Sequence, residues 1–506
     1  MGFFYRPLFS VWLLLLYSTA DATPEAWHLA SIALHVLATF LVFKLLDKQL
    51  RNTLPASIGA LLFAIHPIHI EAVTWASAAN ELLYTICILG SLLLLEESKA
   101  GTWDDRAWGA LGLWAAALFL KETAVVLLIV FVFLTWVKLR TSANGAPAKQ
   151  TIAWSVPWLV MAGIYIGLRT LVLHRSGLES GKQPWREALF SAPGLLVFYL
   201  KKLVLPWHLS SFYLEDLADG LGFRVCVAIA VMLVLMLLLL WATYRRHHWF
   251  ALSGAIVIFP LLPILGGLRV YEHGNIAHDR YLYLPSVGLC FLVAILTDRL
   301  LTTSKQWKPI LRGIVAVIFS AGIYLCFSQQ SWYTDDQSYY RRAVTLYPQN
   351  VLVWELWGRF NLAHKEPKKG LEETTQAYHL APDDPNVDYY YARALFDNGL
   401  YAAAEPLLEQ ISIRSDQSRW RRQIVLLALA QTDMRLGRLG EADQALNLLE
   451  QTNNTFPGLH NTRGNLYRLE GKQNSAKEEF MKEFKITGDL RSTRAAVALD
   501  GGDPLN

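Results

Sequence analysis

The stretch that decides the fold is ASIGALLFAIHPIHIEAVTWASAANELLYTICILGSLLLL, residues 56–95. Its two apolar runs, Ala56–Ile65 and Leu82–Leu95, are typical of membrane helices, and Pro67 prevents a single helix from continuing through both. The polar loop between them, His66–Glu81, therefore lies at a membrane face. Polar groups in such a place are costly unless a cavity or a partner satisfies them. The loop is either a functional site or an interfacial turn that carries an aromatic anchor.

The composition of the chain indicates a membrane protein. Of its 506 residues, 53% are hydrophobic and only 17% are charged, whereas soluble domains are about 25% charged. Aromatic residues are abundant, as membrane-interface belts require. The net charge of +4 gives no signal for nucleic-acid binding. The four cysteines lie in apolar runs and have neither the spacing of a disulfide framework nor that of a metal site.

The composition changes near residue 328, where the long apolar runs stop and Arg, Glu, Gln and Asn become common. We therefore predict an all-α chain with a polytopic membrane domain of about ten helices followed by an α-solenoid. The predicted segments are an outer-surface or signal-like segment, 1–26; the membrane domain, 27–328; a connecting helix, 329–350; tetratricopeptide repeats, 351–491; and a tail, 492–506.

A motif recurs after Val351 with a period of about 34 residues, which is the length of a helix–turn–helix repeat. Aligning Gly358, Ala392, Ala430 and Gly464 predicts about four units, with helices that begin near 351, 385, 423 and 457. Stacked repeats of this kind leave a concave groove suited to extended peptides. The side chains that we expect near the groove surface are Tyr389, Tyr390, Arg393, Arg421 and Arg422.

Lysine and arginine residues predict the orientation of the membrane domain. They recur in alternate short loops, for example at Lys48, Arg140, Arg245 and Arg299, and such loops face the cytoplasm. We therefore expect an integral, multi-pass protein whose His66–Glu81 loop and repeats both lie on the non-cytoplasmic side, periplasmic or lumenal.

The outward loops carry the candidate site residues. The catalytic candidates are His66, His69, Glu71 and Glu81, the substrate-binding candidates are Lys121, Glu122, Asp279 and Arg280, and the same loops hold His174, Glu272, His273 and His278. Carboxylates beside cations and imidazoles at an apolar boundary suit general-base chemistry on a charged substrate. His66, His69 and Glu71 could also bind a divalent metal, although their spacing is unspecific and no fourth ligand is evident.

The same charges have structural explanations. Lys121 and Arg280 could be interfacial cations that extend their heads to water. Glu122 and Asp279 could each pair with the cation next to it in sequence. The residue types alone leave both interpretations open.

Several short motifs resemble those of a known family in order and spacing. They are Tyr5-Arg6-Pro7-Leu8, Trp27-His28-Leu29, HPIHIEAV from His66, Asn80-Glu81-Leu82-Leu83, Lys121-Glu122-Thr123-Ala124 and DRYLYLPS from Asp279. Together they resemble the TMTC-type membrane O-mannosyltransferases, which combine a GT-C membrane domain with C-terminal tetratricopeptide repeats, and their bacterial relatives.

The resemblance implies a GT-C-like membrane glycosyltransferase. Its members transfer a sugar from a polyprenyl-phosphate donor to an acceptor on the non-cytoplasmic side. For this chain we expect the acceptor to be a protein that binds through the repeats. By this resemblance Glu71 lies near the acceptor or a metal, and Lys121 and Arg280 face the carrier phosphate. Arginine can hold such a group with two parallel hydrogen bonds.

Two departures from the family pattern matter, and the first of them favours a different class of protein, whereas the retained polar residues of the outer loops favour the enzyme. GT-C enzymes carry an acidic residue in a first outer loop that precedes the Tyr-Arg-Pro stretch, and this chain begins at that stretch, as a relative lacking the first membrane helix would. Glu81 and Asp279 also stand where Asp and Glu are expected, which changes the reach of each by one methylene. The alternative is a non-catalytic membrane scaffold whose repeats assemble envelope complexes. A transporter is disfavoured because the acidic residues do not lie at mid-membrane.

Overall fold

A computed structural model describes residues 4–99, 101–141, 147–173, 184–214, 218, 220–245, 247–266, 268, 275–303, 307–414, 418–488 and 495. His174, Glu272, His273 and the predicted tail apart from Ala495 lie outside these residues. The described residues form helices and no strands, which confirms the predicted all-α fold class. The chain separates into two compact units, Met1–Tyr347 and Pro348–Asn506.

The first unit contains fifteen α-helices within the described ranges. They are α1 (Pro7–Ala20), α2 (Pro24–Leu50), α3 (Thr53–Ala64), α4 (Ile70–Thr74), α5 (Ala79–Glu97), α6 (Asp105–Leu120), α7 (Leu128–Thr141), α8 (Pro147–Leu173), α9 (Trp185–Val204), α10 (Phe223–Tyr244), α11 (His248–Ile258), α12 (Leu262–Gly266), α13 (Tyr283–Thr303), α14 (Trp307–Gln330) and α15 (Asp336–Leu346).

Eight helical segments in the described part of the chain are long and apolar enough to cross a membrane, and a bent pair makes a possible ninth. The segments differ in how they are covered. The Ala76–Glu97 segment is 67% buried within the protein, whereas Pro309–Tyr333 is only 6% buried. The first segment therefore packs among other helices, whereas most of the second segment's surface is not covered by the described part of the protein. The chain is a multi-pass membrane protein, and α9, which ends with Lys201 and Lys202, is not among these segments.

The bent pair is formed by α3 and the short turns that follow it. Thr53–Ala64 and Pro67–Thr74 meet at an angle of 44°. Pro67 begins the new turn, where its missing N–H needs no partner, and the His66 ring accepts a hydrogen bond from the Ile68 amide at 3.3 Å. The break places the polar residues of the His66–Glu81 loop on short helical turns instead of on one long helix.

Helices α11 and α13 approach each other closely at a glycine. A methyl group added to Gly288 would lie 2.4 Å from the backbone oxygen of Ser253 and 2.7 Å from the Val257 side chain. Small residues allow such close packing between membrane helices, where the hydrophobic effect contributes little.

The second unit consists of helix pairs. They are α16 (Val351–Ala363), α17 (Pro367–Leu380), α18 (Pro385–Asp397), α19 (Tyr401–Ser412), α20 (Arg419–Leu436), α21 (Leu439–Thr452), α22 (Leu459–Leu469) and α23 (Gln473–Thr487). The first helices of the four pairs begin within four residues of the predicted positions. Gly437 ends α20 with a φ of +77°, a left-handed conformation that only glycine adopts without strain.

Candidate functional site

The first candidate acid, Glu71, is buried and bound by Arg280. Glu71 lies in α4, and Arg280 lies in the 3-10 turn Asp279–Leu282 that precedes α13. One carboxylate oxygen accepts a hydrogen bond from the Arg280 guanidinium, and the other accepts one from the Arg280 backbone N–H at 3.0 Å. Glu71 is 1% exposed. This double contact joins the His66–Glu81 loop to the start of α13.

The second candidate acid, Glu81, is bound by Lys121. Lys121 Nζ lies 2.5 and 2.6 Å from the two carboxylate oxygens, and the side chains are 4% and 2% exposed. Lys121 is therefore not an interfacial cation that extends to water. The pair is fixed by α5, which carries Glu81 in its first turn, and by the end of α6.

The third candidate acid, Glu122, is bound by a residue that the candidate set did not include. Arg6 Nε and Nη2 donate to the two Glu122 oxygens at 2.8 and 2.6 Å. The prediction that Glu122 pairs with its sequence neighbour Lys121 is wrong. Lys121 is an extended cap residue between α6 and the turn Glu122–Leu127, with φ −156° and ψ 126°, and successive side chains on an extended backbone point to opposite sides.

Aromatic rings connect two of these ion pairs. Lys121 Nζ lies 5.1 Å from the centre of the Tyr281 ring, and the Arg280 guanidinium lies 5.0 Å from the same ring. Arg280 also lies 4.6 Å from the Trp75 ring, and Trp75 is 43% exposed. Cations near aromatic faces are stabilised by the ring quadrupole. The Glu71–Arg280 and Glu81–Lys121 pairs therefore form one cluster at Tyr281, and the Glu122–Arg6 pair begins at the residue next to Lys121.

Asp279 does not pair with the adjacent Arg280 either. Its Oδ1 accepts a hydrogen bond from the Tyr213 hydroxyl at 2.5 Å, and both side chains are buried. Next to it, the His278 Nδ1–H donates to the Ser211 carbonyl at 2.8 Å. Burial, and then the Arg280 charge, hold the pKa of His278 well below its usual range. The imidazole is therefore neutral, and its 3.9 Å approach to Glu71 is not an ion pair.

The two histidines predicted as catalytic residues are engaged with neighbouring helices. His66 Nε2 donates to the Leu203 carbonyl at 3.0 Å, and His69 Nε2 lies 2.8 Å from the Ser286 hydroxyl. His35 lies beside them: its ring centre is 5.2 Å from that of His69, and its Nδ1 is 2.7 Å from the Tyr283 hydroxyl. These contacts hold the two rings between helices, while the His69 Nδ1 is buried without a hydrogen-bond partner in the described part of the chain. A role of either ring in chemistry stays a prediction.

The described residues do not offer a ready metal site. Both Glu71 oxygens are used by Arg280, and the rings of His66 and His69 face different partners. Within the described part of the chain, no group of three or more His, Cys, Asp or Glu side chains is placed to share an ion. The residues that we considered as ligands do not fit the ion in this arrangement, and we derive no step through a metal.

The repeats carry their own polar contacts. The Arg359 guanidinium lies 4.4 Å from the Tyr390 ring. Arg393 Nη1 lies 3.4 Å from the Gln431 amide oxygen, and Arg421 Nη1 lies 3.4 Å from the Pro385 carbonyl. Arg393 and Arg421 therefore connect neighbouring helix pairs, in addition to any contact that they make with a peptide.

Comparison with known proteins finds relatives that match most of the chain at low identity. A family model described as tetratricopeptide repeat matches residues 361–423. The protein named protein O-mannosyl-transferase TMTC3 of Homo sapiens is 23% identical over 99% of this chain and 60% of its own length. The Homo sapiens TMTC1 protein is 24% identical over 75% of this chain and 48% of its own length. The chain is a TMTC-like tetratricopeptide-repeat protein.

Other similarities are more local. The protein O-mannosyl-transferase Tmtc1 of Drosophila melanogaster is 35% identical over 25% of this chain and 15% of that protein. A solved structure, the APC/C hetero-tetramer Cut9-Hcn1, covers 96% of this chain at 13% identity with a TM-score of 0.30. This score is too low to indicate a shared overall fold. The chain spans 60% of the length of human TMTC3 and 48% of that of human TMTC1.

Sequence reasoning missed four residues of this region: Arg6, Trp75, Tyr213 and Tyr281. Arg6 and Tyr281 belong to motifs that carried the family resemblance, so the signal for them was present. Tyr213 lies in a loop with no motif, and only the packing of that loop on the His278–Arg280 segment reveals it.

Proposed function

We propose that this chain is a membrane glycosyltransferase that moves a sugar from a polyprenyl-phosphate donor to a protein acceptor on the non-cytoplasmic side. The observation that carries the proposal is the cluster of buried ion pairs, in which Arg280 and Lys121 meet over Tyr281. The relatives are named protein O-mannosyl-transferases, which supports mannose as the sugar and a protein as the acceptor.

The cluster suits a phosphate that enters from the membrane. Arg280 and Lys121 are cations held by carboxylates, and the anionic oxygens of the donor's phosphodiester can replace a carboxylate as hydrogen-bond acceptors. The exposed Trp75 ring lies beside Arg280 and offers an aromatic surface at the entrance. A buried charge is costly without a partner, so the carboxylates keep the cations stable until the donor arrives.

Donor binding would then release the base. In the free protein, both Glu71 oxygens accept hydrogen bonds from Arg280, and these contacts compete with an acceptor hydroxyl for the same oxygens. When the guanidinium turns to the donor phosphate, Glu71 can accept the proton of an acceptor hydroxyl. The acceptor oxygen forms a bond to the anomeric carbon, the bond from that carbon to the phosphate oxygen breaks, and polyprenyl phosphate leaves with its charge held by Arg280 and Lys121.

The second candidate is a scaffold without catalytic activity. One observation favours it: in the described residues, three of the four candidate carboxylates, Glu71, Glu81 and Glu122, are already paired with a cation. In this case the pairs only hold the loops of the membrane unit together, and the repeats do the binding.

A transfer assay separates the two functions. The full chain in lipid nanodiscs is given radiolabelled mannosyl polyprenyl phosphate and a mixture of secreted polypeptides, and label in protein is counted. Glu71→Gln should lower the transfer rate at least 100-fold, because general-base catalysis contributes about 10²–10⁴-fold. Glu97→Gln, which changes an exposed ion pair with Lys48, is the matched control and should transfer at the native rate.

The sidedness is tested separately. Gln451→Cys places a thiol on the repeat surface, and a membrane-impermeant maleimide should label it in intact cells. Labelling that requires lysis would place the repeats in the cytoplasm and contradict the proposed orientation.

In the transfer assay, full binding of the polypeptides without transfer of label would favour the scaffold.

A further inference from the structure

A loop of the membrane unit, residues 209–213, lies between the candidate site and the helix that leads to the repeats. The loop follows α9 and is tied to itself by hydrogen bonds. The Ser210 hydroxyl contacts the Phe212 backbone at 3.0 and 3.1 Å, and the Ser210 N–H donates to the Tyr213 hydroxyl at 2.9 Å. Loop 209–213 is therefore a fixed unit, with the Tyr213 hydroxyl held from one side.

Loop 209–213 holds two successive residues of the site. The Tyr213 hydroxyl donates to Asp279 at 2.5 Å, and the Ser211 carbonyl accepts from His278 at 2.8 Å. The next residue is Arg280, whose backbone N–H and guanidinium both bind Glu71. A shift of the 278–280 backbone therefore moves the guanidinium that the proposed function assigns to the donor phosphate.

The opposite side of loop 209–213 contacts α15 and its ends. The Ser211 hydroxyl lies 3.1 Å from the Tyr333 hydroxyl. The Phe212 ring packs on Tyr339 with centres 5.6 Å apart, and the Tyr213 ring packs edge-on against Tyr347, also at 5.6 Å. A cavity of only about 10 Å³ remains between the loop and this helix, which is about enough for one water molecule. Movement of α15 therefore cannot leave the loop unchanged.

From these contacts we infer that Tyr213 is a positioning residue, through which helix α15 sets the place of Asp279 and Arg280 in the site. The inference rests on the proposed function for its catalytic meaning. Its structural content, that the 278–280 segment is ordered by Tyr213 and Tyr347, is independent of that function. Because α15 directly precedes the repeats in sequence, a change in α15 is the route by which acceptor binding could reach the donor site.

Two substitutions separate the two contacts of Tyr213. Tyr213→Phe keeps the ring that packs on Tyr347 and removes the hydrogen bond to Asp279. Tyr347→Ala keeps the hydrogen bond and removes the ring contact with α15. The matched controls are Tyr324→Phe and Tyr324→Ala on α14, because Tyr324 is 71% exposed.

The first measurement does not depend on activity. Hydrogen exchange of the backbone amides in 275–283 is followed on the full chain in nanodiscs. Both test variants should raise the exchange rate of this segment several-fold, and the controls should not. Native exchange in the Tyr213→Phe variant would overturn the inference, and native exchange in Tyr347→Ala would remove α15 from it. If Tyr213→Phe fails to insert, Tyr347→Ala decides alone.

The second measurement uses undecaprenyl phosphate as the donor probe. Removing one partner of a buried hydrogen bond weakens the interactions that depend on it by about tenfold, so the dissociation constant of the probe should rise about tenfold in Tyr213→Phe. The double variant should bind the probe no more weakly than Tyr213→Phe, because effects that act through one contact do not add. Additive losses would mean that Tyr347 acts elsewhere. If the native chain binds no probe, the proposed function fails, and the exchange data still decide the inference.

Discussion

The buried pair of Glu81 and Lys121 gives the sharpest prediction for the membrane unit. Replacing Glu81 by Gln leaves the Lys121 ammonium without an anion at a place where its side chain is 4% exposed. Breaking a buried pair by removing one partner costs about 3–5 kcal/mol. The Tyr84 and Tyr281 rings remain 5.0 and 5.1 Å from Nζ and offset part of this cost. We therefore expect a loss of about 3 kcal/mol in the free energy of unfolding.

The loss should appear as a fall of roughly 5 °C in the apparent unfolding temperature of the full chain in nanodiscs. The double variant Glu81→Gln, Lys121→Met removes both charges and should recover most of it, because a buried pair can be replaced by uncharged groups at little cost. The exposed pair supplies the control: Glu97→Gln should shift the temperature by less than about 2 °C, since surface pairs contribute about 0–1 kcal/mol.

The same variant tests the exchange of carboxylate for phosphate. In Glu81→Gln the ammonium is free of its anion, so undecaprenyl phosphate should stabilise this variant more than the native chain, by mass action on a tighter complex. The double variant should gain no such stabilisation despite its recovered unfolding temperature. An unfolding temperature of Glu81→Gln equal to that of the native chain would refute the premise that the pair is buried. Equal stabilisation of all three proteins by the lipid would refute a phosphate contact at Lys121.

Three further predictions concern the repeats and the connection to them. Burial, and then the Glu405 charge, raise the pKa of Asp433 to about 7, whereas the ordinary value is about 4. The free energy of unfolding should therefore fall as the pH rises from about 4 to about 7. Asp433→Asn should flatten that slope in thermal unfolding experiments. Gly464→Ala would place a methyl group 2.7 Å from the Phe480 ring and should cost about 1–3 kcal/mol by overpacking, seen as faster exchange in α22, whereas Gly440→Ala in α21, with nothing within 4 Å, should cost nothing. A chain that ends at Tyr347 should insert and bind undecaprenyl phosphate but lose transfer to polypeptides. A chain that ends at Gln330 also lacks α15 and should in addition bind the lipid less tightly. Full transfer by either chain would make the repeats an assembly platform.

Much of the architecture could be predicted from the sequence because its signals are local. The apolar runs around Pro67 indicate two helices and a turn, and the 34-residue period predicts the helix pairs that begin at Val351 and Pro385. These features depend on neighbours within one or two helical turns. The structure agrees with them to within four residues at the first helix of each repeat.

The partners of the charges could not be predicted in the same way. Arg6 and Glu122 are 116 residues apart, and Tyr213 and Asp279 are 66 apart. Adjacent opposite charges, as in Lys121-Glu122 and Asp279-Arg280, suggest pairing along the chain. Lys121 is extended and Glu122 begins a 3-10 turn, whereas Asp279 and Arg280 both lie in the 3-10 turn Asp279–Leu282. In both cases the side chains contact partners on other elements instead of each other.

The close approach of α13 to α11 at Gly288 limits how the site can move. Gly288 lies in the second turn of α13, only eight residues after Arg280, and a backbone oxygen of α11 occupies the space beside it. Any side chain larger than hydrogen at this position would push the two backbones apart and shift the start of α13. The turn Asp279–Leu282, which precedes α13, would shift with it. Engineering that aims to alter donor choice should therefore vary that turn and loop 209–213 and leave Gly288 unchanged.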